Sequence, residues 1–389
     1  MNFPPLIAFS ALLHFYVGGR VVPELAPYPL AALLFTLLLL ASVVCLPLGM
    51  LARRVASPPL SDVLTWIGLV FMGLFSSLFV LTLLRDAALV VAWLAHGLIP
   101  GQVPLAELSH WSALAVPSGA LMASGLGFLN ARRTAAIVRI DVPIAGLPAA
   151  LQGFTVAQIT DVHVGPTIKR GYLRRIVAKV NSLQPDMVAI TGDLVDGQVH
   201  ELAAHVAPLA DLRSRHGSYF VTGNHEYYAG AHAWMAELRR LGIKVLMNEH
   251  VVLEHRVPGS SVEASSACFV VAGVADWSAH VFDPSHRSDP HAALLGAPGH
   301  AKLRMLLAHQ PRTAPAAAAA GFDLQLSGHT HGGQFWPWIH FVRFQQPFTA
   351  GLHKLGAMWV YTSRGTGYWG PPKRFGAPSE ITCLRLVAA

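Results

Sequence analysis

Charge is scarce in this chain of 389 residues, because only 13% of them are Asp, Glu, Lys or Arg. That share is about half of what soluble proteins usually carry. Residues 1–130 hold four cations and four anions, so the formal net charge of +7 belongs to the remainder. A basic folded part attached to an apolar part suits an anionic substrate or a membrane surface. The charge is too weak and too dispersed to predict a nucleic-acid partner.

Cysteine is also rare, and Cys45, Cys268 and Cys383 stand far apart, at neither metal-ligand nor redox spacing. We therefore expect no disulfide partner and no cysteine-based zinc site. Histidine, by contrast, occurs 20 times. Where the histidines lie is consequently the informative question.

Long apolar runs dominate the first third of the chain. Residues 28–50 and 63–84 lack charge and exceed the roughly 20 residues that cross a bilayer core, so we predict two transmembrane helices there. Weaker candidates are 3–19, 87–100 and 111–129. Residues 1–130 are thus predicted to be a transmembrane region of four or five helices. Apolar segments recur long after the first one, which lacks basic residues before it, so a cleaved signal peptide is not expected.

Basic residues near the ends of these segments bear on orientation, with Arg53 and Arg54 in one cluster and Arg132, Arg133 and Arg139 in another. Both clusters lie in the cytoplasm, as the positive-inside rule favours, if an even number of crossings separates them. That holds if 63–84 and 111–129 cross and 87–100 does not. If 87–100 also crosses, the C-terminal domain faces outward, and the sequence leaves both arrangements open with a lean to the cytoplasmic one.

The pattern changes at residue 131, where a connecting segment with a first strand (131–150) leads into a domain over 151–389. Strand-like runs at 154–160, 186–191 and 218–222 alternate with helical stretches near 171–183, 201–212 and 231–241. Such alternation indicates βαβ units and a largely parallel sheet. Further strand-like runs have fewer helices between them and predict a second, more antiparallel sheet; they lie at 268–274, 303–308, 322–327, 358–363 and 380–386. The alanine-rich stretch after Pro315 predicts a surface helix.

Asp, Asn and His residues follow these strand-like runs five times in chain order. The motifs are "DVH" (161–163), "GD" (192–193), "GNHE" (223–226), His309 and "GHTH" (328–331). Carboxyl ends of strands are where open α/β sheets place their ligand sites. Imidazole and carboxylate ligands without thiolate suit Mn, Fe, Zn or Co better than Ca. Two such ions, about 3.5 to 4 Å apart, can promote in-line displacement at phosphorus.

The five-part pattern resembles that of the calcineurin-like metallophosphoesterase superfamily, and the resemblance covers roughly residues 150–386. It implies an α/β/β/α sandwich of two mixed β-sheets flanked by helices, here following the N-terminal α-helical transmembrane region. It also implies two divalent metal ions per chain, with Mn preferred and Fe, Zn, Co or Mg as alternatives. The residues it assigns are Asp161, His163 and His331 to one metal, Asn224, His309 and His329 to the other, Asp193 as the bridge, and His225 as the group that protonates the leaving oxygen.

Two longer strings, "LSGHTHGGQ" (326–334) and "SRGTGYWGPPKR" (363–374), are similar to a bacterial branch whose catalytic domain follows membrane helices. That likeness implies an integral protein of the bacterial inner membrane, and the branch includes enzymes that cleave the pyrophosphate of UDP-2,3-diacylglucosamine. We therefore expect a phosphoesterase that cleaves a phosphodiester or pyrophosphate bond in a lipid-linked substrate. Two alternatives stay open: an enzyme for soluble substrates with the helices as an anchor, and a non-catalytic metal-binding sensor.

Several further residues have expected roles around the site. Arg364 and Arg374 are candidate ligands of the substrate phosphate, with a solvated loop as the alternative. The aromatic stretch 334–344 is either packing or a hydrophobic lip against the bilayer. His329 and His331 should point the same way if their segment is extended, and the adjacent glycines should make room for the phosphate. Glu226 is expected to be a hydrogen-bond partner rather than a ligand, and His14 a packing residue.

Overall fold

The computed structural model describes residues 3–257 and 266–389, and the chain divides into two compact units. The helical unit comprises Met1–Arg132 together with Gly370–Phe375, and the α/β unit comprises Arg133–Trp369 and Gly376–Ala389. The short segment Gly370–Phe375 is thus separated from its neighbours in sequence. Nothing in the local sequence pattern predicts that separation.

Five helices make up the N-terminal part of the helical unit: α1 (Phe3–Val21), α2 (Pro29–Met50), α3 (Ala52–Val55), α4 (Leu60–Leu98) and α5 (Leu105–Arg132). Within the described residues, four of them are long and apolar enough to cross a membrane. The stretch 63–84 and most of 87–100 lie in one continuous helix of 39 residues, so the weaker candidate at 87–100 is not a separate span. No proline interrupts this helix, and the charged pair at Arg85 and Asp86 does not break a helix as proline would.

Several polar groups inside the helical unit pair with one another, as membrane-spanning helices favour. Asp86 accepts hydrogen bonds from Arg20 Nε at 2.8 Å and from Tyr16 at 2.8 Å. His14 is buried, with Nε2 2.8 Å from the Ser42 hydroxyl and its ring stacked on Phe75. These contacts give His14 a packing role.

The first sheet of the α/β unit has six strands in the order β1-β12-β2-β3-β4-β5. They are β1 (Ala136–Ile144), β2 (Thr155–Ile159), β3 (Met187–Ile190), β4 (Ser218–Phe220), β5 (Lys244–Val245) and β12 (Glu380–Ala388). The associated helices are α6 (Arg170–Asn181), α7 (Val199–Val206), α8 (Asn224–Ala229) and α9 (Ala231–Arg240). Only the β12–β2 pairing is antiparallel, so the predicted parallel βαβ pattern is confirmed.

The second sheet also has six strands, in the order β10-β11-β9-β8-β7-β6. They are β6 (Glu249–Arg256), β7 (Ser266–Gly273), β8 (Arg304–Leu307), β9 (Leu324–Ser327), β10 (Gly351–Leu355) and β11 (Met358–Thr362), with helices α10 (Pro290–Ala293) and α11 (Ala314–Ala320). Antiparallel pairing is confined to its two edges, so the expected antiparallel character holds only there.

The run 380–386 was expected in this second sheet, and that expectation was wrong. It forms β12, which pairs with β1 in parallel and with β2 antiparallel in the first sheet. Both pairings join residues more than 200 positions apart in the chain. Local hydrophobic patterning does not identify the partner of a strand at such separation.

The core lies between the two sheets. Alternate residues from each sheet face inward and are fully buried, for example Val156 and Ala189 in the first sheet and Phe269, Met305 and Leu326 in the second. On the outer face of the second sheet, α10 and α11 contribute buried alanines to a further cluster. The predicted alanine-rich helix is therefore α11, half of it in contact with the sheet. This layering leaves the carboxyl ends of the parallel strands as the edge on which side chains can converge.

Candidate metal centre

The predicted metal ligands do converge at the carboxyl edges of β2, β3, β4, β8 and β9. Asp161 and His163 follow β2, and Asp193 follows β3. Asn224 and His225 open α8 just after β4, while His309 follows β8 and His329 follows β9. Local sequence order alone brings these residues to one edge, because parallel strands end on the same side of their sheet.

An uncommon backbone conformation turns several of these side chains back over the sheet edge. Asp161, His163, Asp193, His329 and His331 all have positive φ, between 50° and 71°. Non-glycine residues adopt this left-handed region rarely, and strained backbone of this kind clusters at functional sites. His329 and His331 therefore do not belong to an extended segment, and the prediction of one there was wrong. Thr330 bonds to the Thr349 carbonyl instead, and His331 begins a short 3₁₀ turn.

One group of donor atoms consists of Asp161, His163 and His331, all buried. His163 Nε2 lies 3.1 Å from His331 Nε2, and His331 Nε2 lies 3.4 Å from Asp161 Oδ1. Metal–ligand bonds of about 2.0 to 2.2 Å place neighbouring donor atoms roughly 3 to 3.5 Å apart. The three side chains therefore fit a single first-row divalent ion.

A second group consists of Asp193, His309 and His329. His309 Nε2 lies 3.1 Å from Asp193 Oδ2 and 3.2 Å from His329 Nδ1. The groups are adjacent, since Asp193 Oδ2 is also 4.0 Å from His163 Nε2. Asp193 thus stands where a carboxylate bridge between two ions belongs.

Two further observations fit a metal to this second group. The Oδ1 atom of Asn224 is buried and has no hydrogen-bond partner among the described residues. A buried acceptor without a partner is costly unless something else binds it. Burial, together with the nearby His309, lowers the pKa of His329 to about 3, so its imidazole is neutral and offers a lone pair.

His225 lies beside both groups and is oriented by Asp196. Its Nδ1 is 2.6 Å from Asp196 Oδ1, and its Nε2 is 4.0 Å from Asp193 Oδ2. Burial alone would lower the pKa of His225, but the Asp196 hydrogen bond and the charge of Asp193 raise it to about 9. An imidazole that holds its proton at neutral pH can act as a general acid.

Asp196 was not among the predicted site residues, although it contacts two of them. Its Oδ1 also lies 3.0 Å from His163 Nδ1, so one carboxylate orients both imidazoles. Carboxylates that bond the far nitrogen of a metal-binding histidine fix its ring and tautomer. The signal was available, because Asp196 stands three residues after Asp193 in "GDLVD".

Glu226 holds the backbone around the site together. Its buried carboxylate accepts hydrogen bonds from the main-chain N–H groups of Gly223, Asp193 and Leu194, at 2.6 to 3.0 Å. Both oxygens are therefore engaged with amides, as a hydrogen-bond partner rather than a ligand would be. Burial and the nearby Asp193 raise the pKa of Glu226.

Glycine is required at two positions by close packing against carboxylates. A Cβ atom at Gly328 would overlap Thr160 and the carboxylate of Asp161, and one at Gly223 would overlap the carboxylate of Asp193. The glycines thus make room for the protein's own acidic side chains. A role of the glycines beside His329 and His331 in making room for phosphate stays a prediction.

The two arginines proposed as phosphate ligands lie in different surroundings. Arg364 packs beside Gly332, next to His331, and its Nη1 donates to buried Glu380 at 3.1 Å. Arg374 belongs to the helical unit, where its side chain is fully buried and its backbone N–H donates to the Gly127 carbonyl. The side chain of Arg364 is partly exposed, in contrast to that of Arg374, and phosphate binding by either arginine stays a prediction.

The aromatic stretch 334–344 contains exposed and buried members. Trp338, Phe341 and Phe344 are exposed; Trp338 and Phe344 lie in two short 3₁₀ turns that follow the His331 turn, and Phe341 lies between these turns. Phe335 is buried. Packing therefore accounts for the start of the stretch, while the later aromatics form an exposed row.

Comparison with known proteins agrees with this geometry. The model of the calcineurin-like phosphoesterase family matches residues 154–333. A "Transmembrane protein with metallophosphoesterase domain" from Bos taurus is 38% identical over 317 residues, covering 80% of this chain and 70% of the relative. The protein of that name from Danio rerio is 38% identical, covering 68% of this chain and 60% of the relative.

A third relative, an uncharacterized metallophosphoesterase from Campylobacter jejuni, is 36% identical over 259 residues. The aligned region covers 66% of this chain and 64% of the relative. The chain thus spans about two thirds of the length of these curated relatives. The family match, the four apolar helices and the two Asp/His groups point to the same class of protein. The chain belongs to the calcineurin-like phosphoesterases, as a membrane protein whose α/β domain is a metal-dependent phosphoester hydrolase.

Proposed function

We propose that this protein hydrolyses a phosphodiester or pyrophosphate bond in a lipid-linked substrate, at a dinuclear centre held by Asp161, His163, His331, Asn224, His309, His329 and the bridging Asp193. The observation that carries the proposal is that the two donor groups lie next to each other and meet at Asp193. Asp193 belongs to the group with His309 and His329, and its carboxylate also lies near His163 and His225. Imidazole and oxygen donors without thiolate suit several first-row ions, and among them we expect Mn²⁺, with Fe, Zn, Co or Mg as alternatives.

When bound, two such metal ions would polarise the phosphoryl oxygens and lower the pKa of a bound water. The chain's own residues supply the rest. Asp196 accepts from His225 Nδ1, which leaves the Nε2 proton free to pass to the leaving oxygen. Arg364, held by Glu380 beside the His331 turn, is positioned to contact a non-bridging phosphate oxygen.

The lipid-linked substrate is supported by two features. Four apolar helices tether the hydrolase, so a substrate confined to the same bilayer reaches it at high local concentration. The exposed row Trp338, Phe341 and Phe344 is of the kind that membrane interfaces favour. With four spans, the clusters around Arg53 and Arg132 fall on one side, which favours a cytoplasmic catalytic domain at a bacterial inner membrane.

The test is a matched substrate panel assayed with the full-length protein in nanodiscs. Phosphomonoesters, diesters and pyrophosphates are each compared with and without a lipid tail, under Mn²⁺, Zn²⁺, Fe²⁺ and Mg²⁺. We expect kcat/KM at least tenfold higher for a lipid-linked diester or pyrophosphate than for its soluble counterpart. Equal values would favour the soluble-substrate alternative, and the absence of turnover on every substrate would favour a sensor.

A further inference from the structure

Two exposed aromatic rings, Tyr228 and Trp369, contact His225, and a third, Phe282, contacts Tyr228; we call these three side chains the aromatic rim. The ring centroid of His225 lies 5.2 Å from that of Tyr228 and 5.7 Å from that of Trp369. The Phe282 ring is 5.5 Å from Tyr228. Tyr228 is 62% exposed, Trp369 is 54% exposed and Phe282 is 49% exposed. Large apolar surface gathered at one place mostly marks a binding site.

The rim is held in place by the same elements that hold the site. Tyr228 lies in α8, four residues after Asn224. The backbone of Trp369 is fixed twice by the side chain of Gln334, since its N–H donates to Oε1 and its carbonyl accepts from Nε2, both at 2.8 Å. Gln334 in turn follows the His331 turn. A rim fixed in this way pays little ordering entropy when a ligand binds.

We propose that the aromatic rim is the subsite for the leaving group and that it takes a leaving group with an extended apolar surface close to the scissile bond. The inference rests on the proposed function, in which His225 protonates the leaving oxygen. The substituent on that oxygen must then lie within a few ångströms of His225, which places it against Tyr228 and Trp369. A lipid chain and an aromatic ring share this apolar chemistry, and the rim offers both of them ring faces and edges.

The experiment measures competitive inhibition by alkylphosphonates, from methyl to butyl, against hydrolysis of bis(p-nitrophenyl) phosphate by the full-length, Mn-loaded protein. We expect Ki to fall about twofold with each added methylene, which corresponds to burial of about half of its surface. In a Tyr228→Ala/Trp369→Ala variant this dependence should be lost. Phenylphosphonate distinguishes the sources, because a ring-specific subsite binds it more tightly than butylphosphonate and a chain-binding subsite does not.

The readout is the dependence of Ki on chain length, and two further variants secure it. Leu295→Ala removes another highly exposed apolar side chain, 83% exposed, and should keep the full dependence. Tyr228→Leu/Trp369→Leu conserves apolar bulk in case the alanines disturb folding; it should keep chain binding and lose any preference for the phenyl group.

Two results would overturn the inference. One is a Ki that does not change with chain length in the wild-type protein. The other is a dependence that survives in the Tyr228→Ala/Trp369→Ala variant or is lost in Trp338→Ala instead. Failure of the proposed function is distinguishable, because the wild-type protein would then neither hydrolyse the diester nor bind methylphosphonate.

Discussion

At the scale of single residues, Asp196 contacts both His225 and the predicted metal ligand His163, so its effect on His225 is measured with the metal site saturated. Asp196→Asn removes the carboxylate that raises the pKa of His225. A general acid must be protonated to act, and a lower pKa means that it loses its proton at lower pH. We expect kcat to fall about tenfold or more and the basic limb of its pH profile to move to lower pH, measured at saturating Mn²⁺.

A matched control exists for this substitution. Asp283 also contacts a histidine, with Oδ2 3.0 Å from His232 Nε2, but it lies outside the two donor groups beside His225. Asp283→Asn should leave the pH profile of kcat unchanged. An Asp196→Asn profile that matches the wild type would show that Asp196 does not set the protonation of His225.

Gly328 packs closely against Thr160 and Asp161, so a substitution there tests how tightly the site is packed. Gly328→Ala places a methyl group against Thr160 and Asp161, both fully buried. Overpacking of this kind costs about 1 to 3 kcal/mol, and we expect a lower melting temperature together with a lower metal content by mass spectrometry. Gly299→Ala, where a Cβ would meet nothing within 4 Å, serves as the control. Equal melting of both variants would contradict the packing argument.

At the scale of elements, the segment Gly370–Phe375 packs into the helical unit through Lys373. Its ammonium group donates to the Gly73 carbonyl at 2.8 Å and to the hydroxyls of Ser77 and Ser124 at 2.5 and 3.2 Å. Hydrogen bonds from charged groups contribute about 1.5 to 3 kcal/mol each when their partners are buried. Lys373 therefore joins this segment to α4 and α5.

Lys373→Met keeps most of the side-chain volume and removes the donor. We expect thermal unfolding in detergent to show a loss of about 2 kcal/mol of stability. Lys302→Met, at an exposed position, should change stability by no more than about 0.5 kcal/mol. A Lys373→Met protein as stable as the wild type would mean that the segment is held by its other contacts alone.

Some secondary-structure elements could be predicted from the sequence and others could not. The strands that carry the site were predictable because apolar runs and the polar residues that end them are local features, as with β2 and Asp161. The place of β12 in the first sheet was not, because it depends on pairing with the distant β1 and β2. The left-handed backbone of His329 and His331 was equally hidden, since "GHTH" is compatible with an extended chain.

At the scale of the whole molecule, four spans predict one topology under the positive-inside rule. The loop between α2 and α4 and the end of α5 lie on the same side, since two crossings separate them. A reporter fused after residue 389 should therefore be fluorescent as a green fluorescent protein and inactive as alkaline phosphatase. A fusion in the loop at residues 99–104 should give the opposite result. The reverse pattern would place the hydrolase outside the cytoplasm.

The proposed function of the whole molecule requires that its hydrolytic activity depend on bound metal ions. The decisive measurement is hydrolysis of an aryl phosphodiester by full-length protein that has been stripped of metal and then supplied with Mn²⁺, for the wild type and for Asp193→Asn. We expect activity to return in the wild type and to stay at the background level in the variant, because Asp193 joins the two donor groups. Equal activity of the two proteins would contradict the dinuclear site.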